Sequence, residues 1–150
     1  MFRGPSKITL DAKGRLAIPT RYRDRIMART DGHLVATADR DHCLLIYPMP
    51  DWEETERKLV RLPSLDKRAQ RLKRLMLGHA VELEMDGHGR ILLPKELREF
   101  ANLDRQVMLI GQGNKFELWD EEHWTRRRDE WLEEGDDFGD LSAELETLSF

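Results

Sequence analysis

"LDAKGRLAIP" (residues 10–19) and "MDGHGRILLP" (residues 85–94) are two versions of one clause. With an offset of 75, residues 8–26 lie over 83–101, and Asp11/Asp86, Gly14/Gly89, Arg15/Arg90, Pro19/Pro94 and Arg23/Arg98 are identical. Leu16, Ala17 and Ile18 meet Ile91, Leu92 and Leu93, so the apolar stretch survives as well. With an offset of 72, "LLIYPMPDW" (44–52) lies over "FELWDEEHW" (116–124), each ending in tryptophan. The change of offset falls in a connection, where chain length is cheap to alter. The chain holds two copies of one module.

Each copy follows one plan. An apolar-polar segment ("KITL", "VELEM") leads to a glycine-bearing turn and a short strand ("RLAI", "RILL"). Proline opens a short helix, "TRYRDRIM" or "KELREFA". Two more strands follow, "HLVATA" with "CLLIY" and "VMLIG" with "FELW", and then a closing helix, "WEETERKLVRL" or "HWTRRRDEWLEE". Between the copies Ser64 is the expected N-cap of a basic helix whose apolar stripe is Leu65, Ala69, Leu72 and Met76. The expected division is a first module at 5–52, a helical linker at 53–79, a second module at 80–124, and a C-terminal helix with an acidic tail at 125–150. One or two helical turns are expected in the tail, at "LSAELETL".

The chain of 150 residues carries a formal net charge of −4, unevenly spread. Residues 117–150 hold thirteen acids and three bases, whereas residues 1–116 hold 22 bases and 16 acids. A modestly basic body followed by an acidic tail hints at a polyanionic partner. No apolar run approaches the roughly 18–20 residues of a membrane span, and the start lacks the pattern of a secretory signal. With Cys43 as the single cysteine no internal disulfide can form, which points to the cytoplasm. Within "CLLIY", Cys43 is read as a core residue.

A module of some 45 residues buries too little apolar surface to stand alone. Two copies facing each other across an approximate two-fold axis close a shared core. In the turns, Asp11 and Asp86 are placed to accept backbone N–H groups a few residues on, and Gly14 and Gly89 to adopt positive φ. Arg15 and Arg90 begin the returning strands with two fates open. Each folds back on its aspartate as a structural ion pair, or projects a planar donor fork toward phosphate or guanine. Lys13, Lys7, Arg21, Arg23 and Arg25 favour the second fate for the first copy, whereas His88, Glu96 and Glu99 make the second copy less basic.

"MFRG", "LDAKGRLAIPTRYR", "LLIYPMPDWE", "RLMLGHA", "MDGHGRILLP" and "GQGNKFELWD" together resemble the MraZ family of bacterial regulators, built from two SpoVT/AbrB-type modules. The resemblance spans nearly the whole chain. It implies an α+β fold of tandem AbrB-like swapped-hairpin β-barrel modules with pseudo-two-fold symmetry and short helices. It implies assembly of several copies into a closed ring, in the cytoplasm at the nucleoid. It also implies binding to short direct repeats in double-stranded DNA near a promoter, repressing the protein's own division and cell-wall operon. On this reading Lys13, Arg15, Lys7, Arg21 and Arg90 face DNA, with Arg15 reading a base edge and Lys13 clamping phosphate. Asp11, Gly14, Asp86 and Gly89 shape the turns.

Rival readings are weaker. His33, His42, His79, His88 and His123 show no metal-ligand spacing, and no nucleophile elbow or phosphate loop is present. The expectation is therefore no enzyme, no cofactor, no metal and no small-molecule substrate. A ring-forming scaffold without DNA binding is the alternative. Trp52, Trp119, Trp124 and Phe116 are read as packing residues rather than base-stacking platforms.

Overall fold

A computed structural model describes residues 1–134; the helical turns expected at "LSAELETL" lie outside the described residues. The elements are β1 (Phe2–Thr9), β2 (Arg15–Ala17), α1 (Thr20–Thr30), β3 (His33–Ala38), β4 (Leu44–Pro48), α2 (Met49–Val60), α3 (Lys67–Met76), β5 (Val81–Glu84), β6 (Arg90–Leu92), α4 (Lys95–Phe100), β7 (Gln106–Gly113), β8 (Phe116–Asp120) and α5 (Glu121–Glu134). Pro19, Pro48 and Pro94 each stand just before a helix, where an extended φ/ψ suits proline and no helical N–H is lost.

The strands form two antiparallel sheets. One has six strands in the order β1-β7-β8-β4-β3-β5, and the other has only β2 and β6. The six-strand order reads the same from either end once each strand is exchanged for its counterpart in the other copy. Leu16 pairs with Ile91, and Leu45 with Glu117. Those pairs are 75 and 72 residues apart, the two offsets of the repeat, so each residue faces its own counterpart and marks the approximate two-fold.

The expected barrel modules are not formed. Among the described residues neither sheet closes on itself, and β1 and β5 are the two open edges of the larger one. The physical reason lies in where the strands find partners. β1 pairs with β7, β5 with β3, and β2 with β6, each across the copies. No copy keeps enough strands to close a barrel of its own. The outer edge of β1 is instead capped by α1: Arg21 donates to the Pro5 carbonyl (3.3 Å), the Tyr22 hydroxyl to that of Arg3, and Arg25 to that of Met1 (2.8 Å). Satisfied edge carbonyls do not recruit another strand.

One face of the six-stranded sheet is covered by α1, α4 and the β2/β6 pair. Its core joins Leu16, Ile18, Ile26, Leu34, Ile46, Ile91, Leu93, Leu97, Leu109 and Leu118, drawn from both copies. Each such side chain contributes roughly 1.5–3 kcal/mol on burial, and neither copy assembles this set alone. Phe2 stacks on Phe116 at 4.2 Å, which explains why β1 starts at Phe2, well before the expected "KITL". On the other face α2 and α3 bury Val35, Leu45, Tyr47, Trp52, Leu59 and Met76. The basic helix α3 is capped by Asp66, whose Oδ1 accepts from the Arg68 N–H at 2.8 Å, and not by Ser64. Leu65 therefore precedes the helix and is 96% exposed, leaving Ala69, Leu72 and Met76 as the packed stripe. Cys43 is fully buried, and burial pushes its thiol pKa up.

Candidate nucleic-acid interface

The β2/β6 pair places the two Asp-x-x-Gly-Arg turns side by side. In the first, Asp11 Oδ1 accepts from the backbone N–H of Lys13 (2.9 Å) and of Arg15 (2.8 Å), while Oδ2 accepts from Arg15 Nε (2.9 Å). The second repeats this network: Asp86 Oδ1 takes the N–H of His88 (2.8 Å) and Arg90 (2.9 Å), and Oδ2 takes Arg90 Nε (3.1 Å). Backbone bonds close both loops, Asp11 N–H to the Arg15 carbonyl and Gly14 N–H to the Asp11 carbonyl, with the same pair in the second copy. Gly14 and Gly89 have φ of 90° and 75°, the left-handed region that favours glycine.

Each turn is also held by the other copy. Ile18 N–H donates to the Gly89 carbonyl and Leu93 N–H to the Gly14 carbonyl, both at 2.8 Å. Arg98 lies over Gly14 and donates Nε to the Leu93 carbonyl (3.1 Å); Arg23 lies over Gly89 and donates Nε to the Ile18 carbonyl (2.7 Å). A Cβ on Gly14 would sit 2.7 Å from Arg98 Nε and 2.9 Å from the Leu93 oxygen. Arg23 and Arg98 are thus the braces of the site. Sequence reasoning missed that role, although their identity in the two copies was the available signal.

Arg15 and Arg90 combine the two fates that the sequence leaves open. Their Nε atoms are committed to aspartate, yet the side chains remain about a third exposed, at 34% and 38%. Among the described residues no protein group bonds their terminal nitrogens, so the outer edge of each guanidinium is free to donate. Lys13 is exposed at the head of the first turn. Lys7 stands four residues before Asp11 on β1, roughly 13 Å away along an extended strand, and pairs with Glu121 at 3.2 Å. Arg21 is anchored beside Ser6 (2.8 Å) and lies 4.7 Å over the Tyr22 ring, so it flanks β1 rather than the turn. In the second copy His88, Glu82 and Glu96 occupy the places of Lys13, Lys7 and Arg21. The local structure is repeated, and the surrounding charge is not.

The donated N–H groups act on the carboxylates. The backbone bond from Arg15 holds the Asp11 carboxyl below its ordinary value of 3.8, and that from Arg90 does the same for Asp86. A lowered folded pKa adds stability above about pH 3.8 and withdraws it as pH falls through the folded value. Carboxyl-detected NMR titration is expected to find both midpoints below 3.8; a midpoint at or above that value would show the N–H bonds to be absent in solution. Glu117, at the two-fold, goes the other way, because burial raises it above its ordinary 4.5 despite a hydrogen bond from Trp119 Nε1 (3.1 Å). Trp119 and Phe116 are fully buried and Trp52 nearly so, in packing positions.

Among the described residues no cluster of His, Cys, Asp and Glu could hold a metal ion, and no helix is long and apolar enough to cross a membrane. A family model described as "MraZ protein, putative antitoxin-like" matches the chain over residues 1–75 and again over 76–138. The chain is 56% identical over 149 residues to a transcriptional regulator MraZ of Thioalkalivibrio sulfidiphilus, with 99% of each chain covered. It is 57% identical over 152 residues to one of Methylococcus capsulatus (100% of each), and 52% over 149 residues to one of Pseudomonas aeruginosa (99% of each).

Proposed function

Since the chain belongs to the MraZ family of transcriptional regulators, we propose that it binds double-stranded DNA through its Asp-x-x-Gly-Arg turns. The relatives carry the name of a regulator and not of an enzyme. The observation that supports the reading best is the pair of identically pinned turns, each offering a half-free guanidinium edge from a rigid frame. A planar fork presented without conformational search suits a base edge in the major groove. In this proposal Arg15 reads a base, Lys13 contacts phosphate, Lys7 and Arg21 add phosphate contacts along β1, away from the turn, and Arg90 makes a lesser contact. Modules 5–52 and 80–124 then act as one DNA-facing unit.

One such unit binds weakly. Several copies in a closed ring, matched to short direct repeats, gain avidity. We place the targets upstream of the protein's own gene, in a division and cell-wall cluster at the nucleoid, with repression as the outcome. The test is a gel-shift series in rising salt on that upstream DNA and on a version with scrambled repeats. Each neutralised phosphate contributes roughly 0.9 to the slope of log affinity against log salt. The reading predicts a steep slope on both DNAs and tighter binding to intact repeats. A flat slope with no preference would leave a scaffold that does not bind DNA.

A further inference from the structure

Away from the two turns, a groove runs between the α2–α3 connection, the outer side of α3 and the β3–β4 turn. Its volume is about 510 Å³, within the roughly 300–1,000 Å³ of small-ligand sites. The floor is leucine: Leu62, Leu72 and Leu75 line it, and each is half-buried. Leu62 and Leu72 lean on the cluster beneath α2 and α3, whereas Leu75 belongs to neither core cluster. Along the same stretch of chain Val60 and Leu65 are 61% and 96% exposed. Apolar surface gathered in one place and rimmed by charge marks a binding site rather than a solvated helix face.

The rim is cationic. Arg40 of the β3–β4 turn and Arg68 and Arg71 of α3 line the groove, and all three are exposed. Among the described residues Arg40 and Arg71 make no ion pair, and the Arg68 guanidinium meets only Asp66, at 3.9 Å. Asp66 is the one carboxylate in the lining, and it is turned to the helix: its Oδ1 accepts from the N–H groups of Arg68 (2.8 Å) and Ala69 (3.5 Å). Gln70 Nε2 donates to the Ser64 carbonyl and holds the connection against α3, while the Thr37 hydroxyl donates to the Met76 carbonyl at the far end of the helix. The groove is therefore shaped in advance of any ligand. We infer that it binds one small amphiphilic anion, a carboxylate or phosphate head on an apolar chain. The chain lies on the three leucines and the head takes the guanidinium forks. A purely apolar ligand would leave the cations without a partner, and a bare anion would leave the leucines wet. This inference does not depend on DNA binding.

Methyl-resolved NMR of the full chain, titrated with decyl phosphate below its micelle concentration, tests it. The methyls of Leu62, Leu72 and Leu75 should shift together and saturate, while those of Leu92 and Leu132, exposed elsewhere, stay in place. Decanol, which keeps the tail and loses the head, should bind roughly tenfold more weakly or worse, the size of one lost charged hydrogen bond. Inorganic phosphate should leave the three methyls unmoved. Arg71→Glu should weaken decyl phosphate by a similar factor, and Leu75→Glu should abolish its binding. Both positions lie outside the core clusters, and unshifted methyls of the buried Leu109 and Leu118 check that each variant is folded. Equal affinity for decanol and decyl phosphate, equal shifts at Leu92 and Leu132, or full binding by folded Arg71→Glu would each overturn the assignment. So would leucine methyls that decyl phosphate does not move.

Discussion

Arg15→Ala should lower affinity for the repeat-bearing upstream DNA by roughly 10- to 100-fold, the size of one good guanidinium–base contact. Its effect on scrambled DNA should be several-fold smaller. The variant keeps its turn, because the two N–H groups that pin Asp11 belong to the main chain of Lys13 and Arg15 and survive the truncation. Only the Nε bond and the exposed guanidinium edge are lost. Arg15→Lys separates charge from geometry: it preserves a cation for phosphate and removes the fork, so it should retain scrambled-DNA binding and lose most of the preference. Arg90→Ala, in the copy where His88 and Glu96 stand in the places of Lys13 and Arg21, should cost less than Arg15→Ala. Gel-shift titration at fixed salt measures all three. Equal losses on both DNAs for Arg15→Ala would reduce its part to phosphate contact, and no loss on either would remove it from the interface.

Gly14→Ala should destabilise the protein by about 3 kcal/mol, the cost of a left-handed non-glycine residue added to that of overpacking. The new methyl meets the Leu93 carbonyl at 2.9 Å, and main chain braced by the β2/β6 pair has little room to yield. The contact lies between the copies, so strain there loosens the shared core and not merely a surface loop. Gly87→Ala is the internal control. Nothing lies within 4 Å of its added Cβ, and the first copy already has Ala12 at that place. Chemical denaturation should therefore show a large loss for Gly14→Ala and almost none for Gly87→Ala. Equal midpoints for Gly14→Ala and the parent chain would refute the claim that this turn is clamped from the other copy.

Much of the site was legible before any coordinates. Aspartate, glycine and arginine at their spacing state a local contract: a carboxylate accepts nearby N–H groups, glycine permits the reversal, and the strand restarts at arginine. Such contacts span four residues, so sequence distance and spatial distance agree. The braces were less legible. Arg23 and Arg98 are as well matched as the turn residues, but each lies over a glycine of the other copy, far away along the chain. The cap of α3 falls two residues beyond the expected Ser64 for a local reason: Ser64 and Asp66 both offer a capping oxygen, and it is the Asp66 side chain that accepts from the N–H groups of Arg68 and Ala69.

By itself, the sequence determined that the chain is a duplicated unit with two pinned arginine turns, because repeats, turn chemistry and apolar period are written residue by residue. Tertiary structure alone decided that the strands cross between copies to make one open sheet instead of two barrels. It also decided that each turn is braced from the opposite half. Strand pairing is settled by long-range burial and by which backbone groups find partners along whole strands. No short stretch of sequence contains either condition.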